Sequence, residues 1–112
     1  MSNLESRMEA MERRLRLAED RLEIFQLLAS YGPAVDSLSE DVLRSMWTVD
    51  GVYDPHGINP YVGNEAVGGL IHGPAHQRYV HQGCAHVTSL PRVTIDGDRA
   101  VATAYSRLYL RE

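Results

Sequence analysis

The feature that most constrains the fold is a helical pattern that runs without interruption from the N-terminus to Gly32. Apolar residues alternate spacings of four and three, which forms a heptad seam: Leu4, Met8, Met11, Leu15, Ala18, Leu22 and Phe25. Glu and Arg occupy the other faces, and a helix this long has more seam than a small domain can cover. We expect residues 1–21 to form a helical arm that contacts another copy of the chain. A solvated arm that frays is the alternative.

The end of this helix carries two polar groups, Tyr31 and Asp36, among apolar neighbours whose spacing is that of one helical face. Proline cannot donate to the carbonyl four residues earlier, so we expect the helix to kink or restart at Gly32-Pro33. Asp36 would then reach the inner edge of the core, where a carboxylate needs a partner or a role. Alternatively, Asp36 only caps the helix that follows, since Ser37 and Glu40 have capping-box spacing before Val42.

The second half of the chain predicts short helices followed by a β-meander. A short helix presents Val42, Leu43, Met46 and Trp47 on one face, and a strand is expected over residues 52–54. A third helix opens at Asn64, and residues 70–82 show no clear period. Residues 86–95 and 100–110 alternate like strands around a hairpin turn at 96–98, with Pro91 marking a bulge or an edge. We expect residues 22–112 to form an α+β domain with N-terminal helices packed on a curved antiparallel sheet.

Composition narrows the possible partners and compartments. A length of 112 residues suits one core, and a net charge of -4 argues against a nucleic-acid surface. No apolar run is long enough for a membrane span. The lone Cys84 predicts a reducing, cytoplasmic environment. Cys84 is either a nucleophile or, as we prefer, an inert small apolar residue.

Four histidines within fifteen positions allow three interpretations: His72, His76, His81 and His86. A metal site would need them to converge, and Gly73-Pro74 disrupts the helix that would align the first two, so we predict no metal and no cofactor. The first three are then surface loop residues. His86 begins a strand, where a neutral imidazole oriented by the Asp36 carboxylate would be a base near neutral pH. The alternative for His86 is a core histidine with satisfied hydrogen bonds.

The ordered series of these motifs resembles one family. Tyr31 and Asp36 follow the long helix, then come WTVDGVYD at 47–54, GNEA at 63–66, His86 and VTIDGDRA at 93–100. The series is similar to the SnoaL-like branch of the nuclear-transport-factor-2-like (NTF2-like) superfamily, which includes scytalone dehydratase, bile-acid dehydratases, a dehydrochlorinase, polyketide cyclases and ketosteroid isomerases. The resemblance implies a cone-shaped α+β fold around an apolar cavity. Such proteins usually continue for two or more strands beyond the end of this chain, so the closing strands are expected to be missing.

The resemblance also implies roles for three residues. A histidine at the position of His86 removes a proton from carbon, an aspartate at that of Asp36 pairs with it, and a tyrosine at that of Tyr31 assists at the substrate oxygen. The expected function is a cofactor-independent, dehydratase-like lyase or isomerase that acts next to a carbonyl of a small hydrophobic molecule such as a steroid or polyketide. Six residues are expected to line the pocket: Phe25, Leu28, Val35, Trp47, Tyr53 and Tyr105.

Three alternatives accompany this expectation. Asp36 can act alone as the base if burial raises its pKa. The domain can be a non-catalytic module for small-molecule binding or assembly, or the small subunit of a ring-hydroxylating oxygenase. The oxygenase alternative would need a large partner subunit with the metal. Otherwise we expect a homo-oligomer, a dimer or trimer formed through the helical arm and the sheet, with no nucleic-acid or membrane partner.

Overall fold

The computed structural model describes residues 2–112, and its longest element is the helix α1, Asn3–Asp36. Ser2 caps the helix: its hydroxyl accepts from the Glu5 backbone N–H at 3.0 Å, and the Glu5 carboxylate accepts from the Ser2 N–H at 3.4 Å. This capping box satisfies two amide groups that the first helical turn leaves without partners. With a rise of about 1.5 Å per residue, α1 is about 50 Å long.

We expected a kink or a restart at Gly32-Pro33, and the structure shows no restart. α1 continues through Pro33 to Asp36. Two hydrogen bonds hold the turns that follow. The Ser37 N–H donates to the Pro33 carbonyl at 3.0 Å, and the Ser39 N–H donates to the Ala34 carbonyl at 2.9 Å. Asp36 is therefore the last helical residue and not part of a new turn.

Three short helices follow α1. They are α2, Glu40–Ser45; α3, Asn64–Gly69; and α4, Pro74–Gln82, with a 3₁₀ turn at Leu70–His72 before α4. Pro74 occupies the first turn of α4, where its missing N–H has no helical partner to lose. Gly73-Pro74 thus starts a helix where the sequence suggested only a break. Met46 and Trp47 follow α2 and do not belong to it.

The strands form three two-stranded antiparallel pairs. β1, Val52–Tyr53, pairs with β2, Tyr61–Val62; β3, Cys84–Thr88, pairs with β6, Ser106–Leu110; and β4, Arg92–Asp96, pairs with β5, Arg99–Thr103. The two long strands of the sequence prediction are thus each divided, at residues 89–91 and 104–105. The Ser89 N–H donates to the Tyr105 carbonyl at 2.8 Å, and the Tyr105 N–H donates to the Ser89 hydroxyl at 2.9 Å, so the divided hairpin stays joined.

The core lies where the end of α1 meets α2, α3 and the 3₁₀ turn. Its fully or nearly buried apolar residues are Ala34, Val35, Leu43, Val67 and Ile71. By contrast, every residue of β5 and β6 is exposed. Antiparallel strands beside a helical layer confirm the α+β class. Within residues 2–112, no helix combines the length and the apolar character needed to cross a bilayer.

Gly32 is the point where α1 and β3 come closest. A Cβ atom added to Gly32 would overlap the backbone carbonyl oxygen of His86. A backbone oxygen within a paired strand cannot move aside as a flexible side chain can. The approach of β3 to α1, and with it the position of His86, therefore requires a glycine at this position.

We predict that Gly32→Ala lowers the free energy of unfolding. Overpacking costs about 1–3 kcal/mol, which exceeds the roughly 1 kcal/mol that alanine gains over glycine within a helix. Gly69→Ala is the matched control, because Gly69 has φ -71° and nothing within 4 Å of an added Cβ. Urea denaturation should show Gly69→Ala to be neutral or stabilising. Equal stability of the two variants would contradict the packing argument.

Candidate active site

The Asp36 carboxylate holds His86 by both its ring and its backbone. Asp36 Oδ1 lies 2.6 Å from His86 Nδ1, and Asp36 Oδ2 accepts the His86 backbone N–H at 2.9 Å. Both side chains are mostly buried, with 24% and 15% of their areas exposed. A carboxylate only accepts hydrogen bonds, so the proton of this contact lies on His86 Nδ1, and in the neutral imidazole Nε2 then carries the lone pair. This is the tautomer that a general base requires.

A third donor to the same carboxylate comes from Cys84. Its thiol donates to Asp36 Oδ1 at 3.4 Å. Burial, and then the hydrogen bond to the carboxylate, raises the pKa of the Cys84 thiol. Cys84 thus remains a thiol near neutral pH, which favours its interpretation as an inert residue over that of a nucleophile.

Asp36 remains ionised because of its partners. Burial alone would raise the pKa of the carboxyl, but the hydrogen bonds from the His86 backbone, the His86 ring and the Cys84 thiol outweigh it and hold the pKa below its ordinary value of 3.8. The alternative in which Asp36 acts alone applied only if Asp36 and His86 lay too far apart to pair, and the 2.6 Å contact does not meet that condition. The capping-box alternative is wrong, because the N-cap of α2 is Ser39 and the Ser37 hydroxyl contacts Ser39 and the Ala34 carbonyl.

The same three side chains include donor types that metals use. One ligand atom each from Asp36, Cys84 and His86 lies within 4.8 Å of the others. In the structure, Asp36 Oδ1 already accepts the imidazole and the thiol protons. Across residues 2–112, His72 and His81 join no such group; His72 instead lies 2.8 Å from a Glu40 carboxylate oxygen.

His76 is not the surface loop residue that the sequence suggested. It lies on α4, is 9% exposed, and its Nε2 donates to the Val35 carbonyl at 2.7 Å. Its ring centroid is 5.9 Å from that of His86. His76 thus fixes the residue directly before Asp36. Recognising Pro74 as a helix start would have placed His76 on a helix.

Tyr31 connects the Asp36–His86 pair to an aromatic cluster. Its ring packs edge-on against His86, with centroids 6.0 Å apart, and its hydroxyl donates to the Tyr53 hydroxyl at 3.3 Å. Tyr53 in turn packs against Trp47 and Tyr61. Burial, reinforced by the hydrogen bond to Tyr53, raises the pKa of Tyr31. Tyr31 therefore remains a phenol, which can donate a hydrogen bond.

A mainly apolar cavity of about 420 Å³ is lined in part by Tyr31. Its lining residues are Leu27, Leu28, Tyr31, Met46, Trp47, Tyr53, Thr88 and Ser106. The volume is within the range of about 300–1,000 Å³ that is typical of small-molecule sites. Asp36 and His86 are absent from this lining, so Tyr31 is the member of the predicted catalytic set that faces the cavity.

The predicted pocket lining needs three corrections. Leu28, Trp47 and Tyr53 line the cavity as expected. Phe25 lies about one helical turn before Leu28 and outside the lining, while Val35 is fully buried in the core.

The third correction concerns the hairpin. Tyr105 is 85% exposed at the break between β5 and β6. The sequence analysis missed Thr88 and Ser106, which pair directly across β3 and β6 and line the cavity. The two-residue strand period already puts Thr88 on the same face as His86.

Fold and site together define an α+β domain in which a long helix and a bent antiparallel hairpin enclose a polar pair beside an apolar cavity. The chain is similar to the crystal structure of an NTF2-like protein with a cystatin-like fold from Novosphingobium aromaticivorans, with 38% sequence identity and a TM-score of 0.89. The match covers 91% of this chain and 66% of that structure, so the chain spans just under two thirds of the length of that protein. The NTF2-like fold expected from the sequence is confirmed.

A family model for the SnoaL-like domain matches residues 16–112, and the chain belongs to this family. No curated protein matches the chain. The resemblance expected from the motif series is therefore confirmed, while the roles of Tyr31, Asp36 and His86 stay predictions.

The lowered pKa of Asp36 predicts how acid affects stability. A carboxyl whose pKa is lower in the folded state stabilises the fold above its unfolded pKa of about 3.9, and this contribution is lost as pH falls through the folded value. We predict that the wild-type free energy of unfolding declines below about pH 5 more steeply than that of Asp36→Asn.

The matched control for this comparison is Asp54→Asn, which changes an exposed carboxylate after β1. Its pH dependence should follow the wild type when unfolding by urea is measured between neutral pH and acid. If Asp36→Asn keeps the wild-type slope, the hydrogen-bonded carboxylate does not lower its pKa in the folded protein.

Proposed function

We propose that this SnoaL-like domain is a cofactor-independent lyase or isomerase that removes a proton next to a carbonyl of a small hydrophobic molecule. The observation that carries the proposal is the 2.6 Å contact between Asp36 Oδ1 and His86 Nδ1. In the neutral imidazole this contact places the proton on Nδ1 and the lone pair on Nε2, and the carboxylate supplies a charge that stabilises the imidazolium once a proton is taken up.

The proposed step begins with His86 Nε2. It takes the proton from the carbon beside the carbonyl, and the electrons of the broken C–H bond form an enolate. In a dehydration, the enolate expels a β-hydroxyl group, which receives the proton from the imidazolium and leaves as water. In an isomerisation, the imidazolium returns the proton to a different carbon. Either route restores the neutral His86, so no external oxidant, reductant or cofactor is required.

Tyr31 is the proposed donor to the enolate oxygen. Its raised pKa keeps the hydroxyl protonated, and its ring contacts His86 while it forms part of the cavity wall. A substrate oxygen would take the place of the Tyr53 hydroxyl as acceptor. The 3.3 Å distance of that hydrogen bond is longer than the usual 2.7–2.8 Å, so the exchange sacrifices little.

The cavity supports a hydrophobic substrate. Leu27, Leu28, Met46 and Trp47 provide apolar walls, and Thr88 and Ser106 add hydroxyl groups on one side. This composition suits a compact apolar molecule with few oxygens, such as a steroid or a polyketide fragment. We propose that the reaction takes place in the cytoplasm, on the evidence of the single, unpaired cysteine.

The second candidate is a binding or assembly domain without catalysis. It is favoured by one specific observation: Asp36 and His86 are absent from the cavity lining. In this case the pair serves only to join α1 to β3, and the cavity retains its ligand unchanged. The two candidates differ in whether His86 exchanges protons with a bound carbonyl compound.

We predict that His86→Gln lowers the rate of proton removal by roughly 10²–10⁴-fold, because glutamine keeps polarity but is not a base near neutral pH. Exchange of carbon-bound protons in D₂O, followed by NMR, reports this step without knowledge of the natural product. An unsaturated 3-ketosteroid and an aromatic β-hydroxyketone serve as probes. Tyr31→Phe should lower the rate by about 10²–10³-fold.

His81→Gln is the matched control, since His81 is exposed on α4. This variant should catalyse proton exchange at the wild-type rate. Circular dichroism and ligand-shift measurements show whether each variant folds and still binds the probe. Binding without any wild-type exchange would support the second candidate. Exchange that persists in a folded His86→Gln variant would eliminate His86 as the base.

A further inference from the structure

The first two thirds of α1 present an apolar stripe with no partner in the chain. Each large seam residue from the N-terminus to the start of the packed segment is more than half exposed: Leu4, Met8, Met11, Leu15 and Leu22. The core begins only near Tyr31, and the match to the SnoaL-like family starts at residue 16. The stripe thus extends beyond the part of the chain that the family model covers.

The charges beside this stripe follow a strict order. If Met8, Leu15 and Leu22 occupy the a positions of the heptads, the g positions that precede them are all arginine: Arg7, Arg14 and Arg21. The first three e positions are all glutamate: Glu5, Glu12 and Glu19. Within residues 2–112, none of these six side chains forms an ion pair.

This order distinguishes the two ways in which two copies of α1 can pair. In a parallel coiled coil, each g residue lies beside the e residue five positions later on the partner helix. Arg7 then meets Glu12 of the second copy, and Arg14 meets Glu19. In an antiparallel pair, g faces g and e faces e, which puts arginine against arginine and glutamate against glutamate. Only the parallel arrangement is attractive.

We propose that α1 forms a parallel two-stranded coiled coil with a second copy of this chain, through the seam from Leu4 to Phe25. The second copy is the occupant that fits, because a heptad seam can pair with its own repeat and its flanking charges are complementary only in parallel register. The pairing brings two SnoaL-like domains to the same end of the coil, each with its own cavity. It does not depend on the catalytic proposal.

Sedimentation of the full chain over a range of concentrations tests the pairing. The wild type should have twice the mass of the chain. Met11→Glu combined with Leu15→Glu should raise the dissociation constant by at least about a hundredfold, because four apolar side chains leave the interface. The matched control is Ser6→Glu combined with Arg13→Glu, two positions on the outer face of the helix, and it should remain a dimer.

Charge reversal tests the orientation. Replacing Glu5, Glu12 and Glu19 by lysine should weaken a parallel dimer by about tenfold or more, since every attractive pair becomes repulsive. Adding Arg7→Glu, Arg14→Glu and Arg21→Glu should restore the parallel dimer. Each arginine–glutamate pair is then replaced by a glutamate–lysine pair, which is again attractive. An antiparallel dimer would respond differently: it would show little change on the first set of replacements.

Four outcomes would overturn the proposal. They are a monomeric wild type, a mass of three or more chains, a dimer that survives Met11→Glu with Leu15→Glu, and a dimer that the glutamate-to-lysine set leaves unchanged. A dimer that survives Met11→Glu with Leu15→Glu would locate the contact elsewhere, for example on the exposed strands β5 and β6. Circular dichroism of each variant verifies that the SnoaL-like domain is folded.

Discussion

The structure depends on one carboxylate that joins the end of a helix to the start of a strand. Asp36 accepts hydrogen bonds from the backbone and the ring of His86, residues separated by fifty positions in the chain. Taking a carboxylate out of water is costly unless such partners compensate it, and here they more than do so, because the pKa of Asp36 falls despite burial. The contact that positions the candidate base is therefore also a contact that holds α1 and β3 together.

The surrounding residues show how little freedom this contact leaves. Gly32 permits the carbonyl of His86 to approach the helix, and His76 fixes the Val35 carbonyl one residue before Asp36. Movement of the helix toward the strand would bring Gly32 into the His86 carbonyl, and movement away would break the hydrogen bonds of Asp36. Such support from neighbouring residues is what a preorganised site requires. It also stabilises a domain whose apolar core is small.

Elements that depend on the local sequence pattern could be predicted from the sequence. The heptad pattern predicted α1, and the alternation after His86 predicted the hairpin and hence the α+β class. Local pattern allowed either a kink or a restart at Gly32-Pro33 and could not decide between them; α1 continues to Asp36, beside the strand β3 that approaches Gly32. The hairpin is divided at residues 89–91 and 104–105, where Ser89 and Tyr105 form cross-strand hydrogen bonds that keep it joined, a pairing that alternation alone does not specify. The burial of His76 likewise depends on a distant carbonyl.

The separation between the polar pair and the cavity gives Tyr31 a special importance. Its ring packs against His86, its hydroxyl donates to Tyr53, and it lines the cavity, so it links the polar pair to the cavity. Under the proposed function, a ligand oxygen that displaces the Tyr53 hydroxyl would be anchored near the imidazole, whereas a ligand held only by the apolar walls would not be oriented toward it. The acceptor of the Tyr31 hydroxyl would then distinguish the catalytic proposal from simple binding.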